Sequence, residues 1–446
     1  MKTNGKLSLG IAVLIVGILA NAFLVACAPA APALSAEEAT TEEATTEEVP
    51  AAEKVVKVGV VGPFTGPASR VGDEFKGAIT MALEEINYKI GDYKVEIVWI
   101  DDESDAEKGA RAYEQAITRD KIDVGFNTWH SWVSVALMDI SAKYKMPHFL
   151  SFGATEVVNE KYQSNPEKYK YWVGKTWPTP AKLSIAYVET LEEAIRGGLW
   201  TPRNKDVAIY GVDNDWGRSF GDSIAQQFEE AGWNVVTKEW VGLGETEFYP
   251  LLTKLQKLDV SVVAGTMSDP PSVSSFIKQS REVGLKSLII SDGLGWIGEW
   301  YDLTGDASNY VLDQIPQWTT DAAKKYRDDF TNKVGFEPSA SSGGLMYDSF
   351  RFMIKIMQET LKDYGALTQE NFAKIAEEKV MTGKLTFTDG IIMEEYKYTP
   401  ETFPDPVVGE GYYIFPVIQY FDGIGKIIWP SNWKESDLQI PDYLKK

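Results

Sequence analysis

The stretch "GFNTWHSWVSV", residues 125–135, holds one of the chain's two histidines between two tryptophans. An apolar run precedes it and a helical pattern follows. At such a turn the first N–H groups of the helix are unpaired and carry partial positive charge, which suits a carboxylate or another polar head. Ser131 could cap the helix or hydrogen-bond a ligand. Trp129 and Trp132 could wall an apolar group, or pack between helix and sheet. His130 reads first as a hydrogen-bonded structural residue and second as a ligand contact. A carboxylate of interest stands further on. Asp292 follows the apolar "SLII" in the turn "SDGLG", where glycine lets the backbone approach a ligand. It could meet an ammonium, or cap the turn.

Other combinations fall short of chemistry. Gly217-Arg218-Ser219-Phe220-Gly221 matches G-x-S-x-G, the nucleophile elbow of α/β-hydrolases. That elbow sets its Ser directly after a strand, whereas Ser219 comes well into the following segment. The triad also needs a His beyond the Ser, and both His130 and His148 precede it. Ser219 is therefore expected in the first turn of a helix, and no enzyme is expected. There is no P-loop and no Gly-rich dinucleotide fingerprint. "DDESD" at 101–105 lacks the glycine and terminal Glu of a calcium loop and reads as a solvated strand end. Two His and one Cys leave little for a zinc or iron site, so neither metal nor cofactor is expected.

The elements that would position these residues alternate. "VVKVGVVG" (55–62) is a short apolar run, and Val71, Phe75, Ile79, Leu83 and Ile86 then recur at helical spacing. Strands are predicted at 93–100, 122–126 and 147–152, with helices at 105–119 and 132–144. The rhythm restarts after about residue 177. Strands are predicted at 206–211, 235–240, 260–265 and 287–291, with helices near 217–231, 247–258 and 271–284. Helices near 320–334 and 343–362 follow, then β-like segments at 384–388 and 411–420. Alternation of this kind implies right-handed crossovers and parallel sheets covered on both faces. Two runs imply an α/β protein of two Rossmann-like lobes. Open parallel sheets bind ligands beyond the carboxyl ends of their strands, where residues 127–131 and Asp292 both lie.

The chain's start and charge bound its setting. Lys2 and Lys6, an apolar run and small residues before Cys27 read as a secretory signal over 1–26. Leu24-Val25-Ala26-Cys27 resembles the bacterial lipobox, after which the chain would begin at a lipid-bearing Cys27. An uncleaved membrane anchor is the alternative, and either way the rest lies outside the cytoplasm. Residues 28–53 repeat EEATT and carry seven glutamates with almost no large apolar side chain. Such a segment cannot bury enough surface to fold and forms an acidic tether, 27–53. The formal charge of −21, with no basic cluster, excludes nucleic acid.

Six blocks, in order, are similar to one family. "KVGVVGPFTGPASRVGDEFKGAITMALEEIN" (57–87), "DDESDAEKGARAYEQAI" (101–117) and "PHFLSFGAT" (147–155) resemble the first lobe of the branched-chain amino-acid (Leu/Ile/Val) binding proteins. These are the type I periplasmic solute-binding proteins of ABC importers. "VAIYGVDNDWGRSFGDSIAQQFEEAG" (207–232), "FIKQSREVGLKSLIISDG" (276–293) and "TGKLTFTDG" (382–390) match later family blocks. The resemblance implies two lobes joined by three crossovers, 54–177 plus about 316–390 and 178–315 plus about 391–446, with a ligand trapped between them. It implies a permease with its ATPase as partner; the lipobox puts the chain, lipid-anchored, on the outer face of the cytoplasmic membrane, and a monomer is expected. By family position, Trp129, His130 and Ser131, together with Gly153-Ala154-Thr155, fall where relatives bind the ligand's carboxylate. Trp216, before Gly217, falls on an aromatic of the second lobe, and Asp292 on the acid that holds the α-ammonium. "TMSDPP" (266–271) lines the cleft in relatives. Rings where relatives carry serines, and Asp in place of Glu, imply a pocket reshaped from that of leucine or valine. The solute expected is an amino acid or related compound. The alternatives are an aromatic acid, an amide or urea, a quaternary ammonium, a sensor role or a hydrolase.

Overall fold

The computed structural model describes residues 53–297 and 299–445. In it, four of the five valines of β1 (Lys54–Gly62), Val56, Val58, Val60 and Val61, are fully enclosed, and they cover both faces of the strand. That is the signature of a strand central in a parallel sheet. The short β2 (Lys89–Ile90) turns back antiparallel onto β3 (Tyr93–Asp101). β4 (Val124–Phe126), β5 (His148–Ser151) and β6 (Trp172–Lys175) complete a six-stranded sheet of order β2-β3-β1-β4-β5-β6. The helix Ser69–Glu85 buries Val71, Phe75, Ile79 and Leu83, the predicted stripe.

The second sheet repeats the plan with β7 (Asp206–Val212), β8 (Asn234–Val241), β9 (Val262–Thr266), β10 (Leu288–Asp292) and β11 (Leu312–Gln314), all parallel. An antiparallel pair, β12 (Val417–Phe421) and β13 (Ile424–Trp429), closes one edge, giving the order β13-β12-β11-β10-β9-β7-β8. In each sheet the chain builds to one side of its first strand and then crosses to the other. The switch point lies between β1 and β4 in one lobe and between β7 and β9 in the other.

Several details depart from the sequence reading. The segment 384–388 makes only an isolated antiparallel bridge, Phe387 with Tyr396, and Phe387 stacks on Phe352 at 5.8 Å instead of entering a sheet. In 411–420 only Val417 onward is strand. The sheets are not wholly parallel, since β2, β12 and β13 run antiparallel at their edges, where a hairpin needs no crossover helix. The acidic "DDESD" is not simply solvated. Asp101 accepts from the Phe64 and Thr65 amides, and Asp102 is fully buried.

The chain passes between the sheets after β6, after β11 and before β12. Helices Asp321–Val334 and Met346–Tyr364 return to pack on the first lobe. Residues 391–405 also sit there. Asp348 accepts from the Ile391 and Ile392 amides, and Lys175 donates its amide N–H to Pro404 O. Where the first and third linkers run side by side, buried Asp405 pairs with Lys175 (2.6 Å) and Lys182 (2.9 Å). Asn159 Oδ1 accepts a further bond from Lys175 Nζ at 2.7 Å, and Thr179 donates to Asp405. Burial alone would raise the Asp405 pKa, but the two ammoniums outweigh it and hold the carboxylate below its usual range.

Candidate functional site

The loop after β4 is fixed from below. Asn127 donates to Val61 O at 3.0 Å, and its carbonyl meets His148 Nε2 at 2.8 Å. His148 also contacts Tyr113 Oη at 3.0 Å, so it belongs to the first lobe's interior. Above this floor stand Trp129, half-buried, and His130, 3% exposed. The His130 ring stacks on Trp132 at 4.2 Å, and Trp132 Nε1 donates to Ser104 O. His130 precedes the helix Ser131–Tyr144. Ser131 does not cap that helix; its hydroxyl accepts from the Thr155 amide at 3.3 Å, joining the β4 and β5 loops. Thr155 in turn caps the helix Glu156–Ser164 and does not line the cleft, whereas Ala154 does.

Burial pushes both imidazoles down to about 3, so both are neutral at working pH. A native pKa below the unfolded one means the unfolded chain binds the proton first. Stability from each ring is complete above about pH 6.5 and is lost as pH falls towards 3. At pH 5 each histidine is expected to cost about 2 kcal/mol of stability relative to pH 7. The imidazole resonances of the folded protein should stay untitrated down to pH 4. A normal titration of either ring near pH 6 would show that it is solvated.

Opposite these loops the second lobe presents the ends of β7, β9 and β10. Asn214 caps the helix Asp215–Glu230 by accepting from the Gly217 amide at 2.9 Å, which places Trp216 in its first turn. Trp216 Nε1 donates to Thr266 Oγ1 at 3.1 Å, and that hydroxyl donates to Asp292 O at 2.9 Å. One chain of bonds thus ties three loops together. Asp292 is 6% exposed and accepts from Tyr187 Oη at 2.8 Å. Asp313, beside it, accepts from the amides of Gly293, Gly295 and Gln314 and from Tyr420 Oη. Burial first, and the neighbouring Asp313 charge second, raise the Asp292 pKa well above the carboxylate range.

Between the two sets of loops lies a cavity of about 60 Å³. A buried water needs roughly 10–15 Å³ measured this way, so the space suits a small solute and not a peptide or oligosaccharide. The cavity brings together Trp129, His130, Ser131, Ala154, Trp216 and Asp292 from the sequence reading. It adds Phe152, Trp177, Trp296, Thr266 and Ser268, the last two from the 266–271 loop. Trp129 and Trp296, from opposite lobes, approach to 5.2 Å between ring centres at 33°. Trp296 folds back over Gly293, which has φ +93° and where a Cβ would lie 1.9 Å from the indole nitrogen. Trp296 Nε1 and His130 Nε2 are buried with no partner. Asp292 is the one charged side chain lining the cavity among the described residues.

The lobes also touch at the mouth. The Glu156 amide donates to Ser219 Oγ at 3.1 Å, Ser223 Oγ donates to Glu156 Oε1, and Arg70 pairs with Glu299 at 3.2 Å. Ser219 of the G-x-S-x-G match is thus a helix residue bonded to the other lobe, with His148 engaged elsewhere.

Two doubly wound lobes with facing strand ends and a ring-lined cavity between them define a two-lobed binding protein. The chain belongs to the periplasmic binding protein family, whose model matches residues 55–401 and which comprises substrate-binding receptors, not enzymes. It is 27% identical over 247 residues to the Leu/Ile/Val-binding protein homolog 7 of Brucella suis, covering 54% of this chain and 59% of that protein. The match thus spans about three fifths of that curated relative's length. Among solved structures, a leucine binding protein from Thermotoga maritima superposes with a TM-score of 0.65 at 20% identity, over 83% of this chain and 97% of that one. A solute binding protein of an ABC transporter from Rhodopseudomonas palustris, in complex with 3,4-dihydroxybenzoic acid, gives 0.66 at 19% identity, over 84% and 96%. Both share the fold. No helix among the described residues is long and apolar enough to cross a membrane.

Proposed function

We propose that this chain is the solute receptor of an ABC importer, held outside the cytoplasm by a lipid on Cys27, and that it captures a small amino acid or related compound between its lobes. The observation that carries the reading is the facing of two sets of strand ends across a small cavity with a single carboxylate and several rings. In this reading the first turn at Ser131, with His130 and Ala154, receives the carboxylate, and Asp292 receives the cation. Trp129 and Trp216 wall the apolar part, and Thr155 supports Ser131. The lobes are 54–177 and 178–315, completed by the C-terminal segments, with residues 391–405 moving with the first. A solute touching both lobes shifts the population towards the closed form, because only that form offers both sets of contacts. The closed receptor then delivers the solute to a permease driven by its ATPase.

The name of the Brucella suis relative supports an amino-acid solute. The aromatic acid bound by the Rhodopseudomonas palustris protein, set beside the six Trp and Phe rings here, favours a second reading, a flat aromatic acid. A thermal-shift screen over amino acids, aromatic acids, amides and betaines separates the two, since a ligand of the native state raises its melting temperature. If no small solute raises it, the receptor reading fails.

Trp216→Ala should weaken solute binding by about 1–3 kcal/mol through lost apolar burial, and Trp216 fluorescence should change on binding. Unchanged affinity in a folded variant would place this ring outside the solute's reach. Cys27 lies outside the described residues. Cys27→Ser should release a folded, binding-competent protein from membranes, with labelled fatty acid found on the wild type only. Absence of label from the wild type would remove the anchor.

A further inference from the structure

The cavity's chemistry is lopsided in a way that narrows its solute, and the narrowing rests on the receptor reading above. A primary ammonium brings three N–H donors and no acceptor, so in a water-poor cleft it needs three oxygens. The cavity offers few. Thr266 Oγ1 already accepts from Trp216 and donates to Asp292 O. Ser131 Oγ accepts from the Thr155 amide, and one oxygen of Asp292 is taken by Tyr187. Ser268 Oγ is engaged by Asn214 Nδ2 at 3.4 Å. Among the side-chain oxygens only the second Asp292 oxygen is wholly unengaged, and Ser131 and Ser268 Oγ each keep one further lone pair.

Rings, by contrast, are plentiful. Asp292 is the one carboxylate lining the cavity, buried Asp313 accepts from the Gly293 amide next to it, and no Lys or Arg lines the cavity among the described residues. The lining includes Trp129, Phe152, Trp177, Trp216 and Trp296. Ring faces attract a diffuse cation without needing N–H donors, most strongly when the cation is desolvated. A trimethylated nitrogen buries its methyl groups against those rings, takes its countercharge from Asp292, and leaves no donor unpaired. The two orphan atoms supply the other half. Trp296 Nε1–H is a donor only and has no acceptor, and His130 Nε2 is buried without a partner beside the free first-turn amides of the helix Ser131–Tyr144. Trp296 Nε1–H calls for an oxygen, and the neutral His130 ring offers a second donor there in its Nε2–H tautomer.

We infer that the preferred solute is an N-methylated zwitterion of the betaine type, with its quaternary ammonium among the tryptophans facing Asp292 and its carboxylate on the His130 side.

Calorimetric titration of the full chain with the series glycine, N-methylglycine, N,N-dimethylglycine and glycine betaine, and with proline against its N,N-dimethyl betaine, tests this. Affinity should climb with methylation, and each betaine should bind at least about a hundredfold more tightly than its parent. Trp129→Leu, with an unliganded melting temperature near wild type, should lose at least about tenfold in betaine affinity. An unmethylated amino acid binding as tightly as its betaine overturns the inference and leaves the receptor reading standing. So does benzoate binding while every zwitterion fails. Failure of all these probes, and of the wider thermal-shift screen, overturns both.

Discussion

Asp292→Asn is expected to weaken binding of a cationic or zwitterionic solute by at least a hundredfold, about 2.7 kcal/mol. The substitution keeps size and shape, so it isolates charge. With its one charged partner gone, the solute's cation is left buried and unpaired, a loss on the order of 2–5 kcal/mol felt mostly in the dissociation rate. The unliganded protein should respond in the opposite direction. Asp292 and Asp313 are buried together, and each raises the cost of ionising the other. Asparagine removes an ionisation that burial and Asp313 already disfavour, so the melting temperature should hold or rise while affinity falls. Titration calorimetry and thermal melts on the same variant separate the two effects. Wild-type affinity in Asp292→Asn would mean that the solute presents no cation there, and the aromatic-acid reading would take its place.

Asp405→Ala should destabilise the protein by about 3–5 kcal/mol, because Lys175 would remain fully buried with its carboxylate gone. Breaking a buried pair costs far more than the pair contributes relative to an apolar replacement. Lys175→Met combined with Asp405→Leu should therefore recover most of the loss. Urea unfolding of the three variants is the measurement. A loss below about 1 kcal/mol in Asp405→Ala would show that water or a neighbouring group replaces the carboxylate. Because Asp405 and Lys182 belong to different linkers, the single variant should also loosen the passage between the lobes.

Legibility followed burial. β1, β3, β7 and β10 read clearly because a central parallel strand is a run of β-branched residues between turn signals. β6, "WVGK", and β11, "LDQ", are too short or too polar to carry a period, and their neighbours hold them in place. The antiparallel hairpin β12–β13 was half visible, since 411–420 reads as β while "IGKIIW" has a poor alternation. At the site, the residues at strand ends and helix starts (Trp129, His130, Ser131, Trp216 and Asp292) could be placed from topology and family position. Phe152, Trp177 and Trp296 could not. Phe152 looks like the end of a buried strand and Trp177 like a linker residue. Trp296 reaches the cavity only because Gly293 turns the chain back in a left-handed conformation. The turn "SDGLGW" carries that signal in Gly293, directly after the carboxylate Asp292, with the ring four residues beyond Asp292.

The pairing of Trp129 with Trp296 across the cleft gives this chain an optical signature of its own conformation. Two indoles 5.2 Å apart and inclined at 33° lie within the range where their electronic transitions mix, producing paired bands of opposite sign in far-ultraviolet circular dichroism near the indole absorption. One ring rides on each lobe, so the coupling decays steeply as the lobes part. Opening and closing can then be followed in unlabelled protein, at equilibrium or by stopped flow, with Trp129→Phe as the spectroscopic blank.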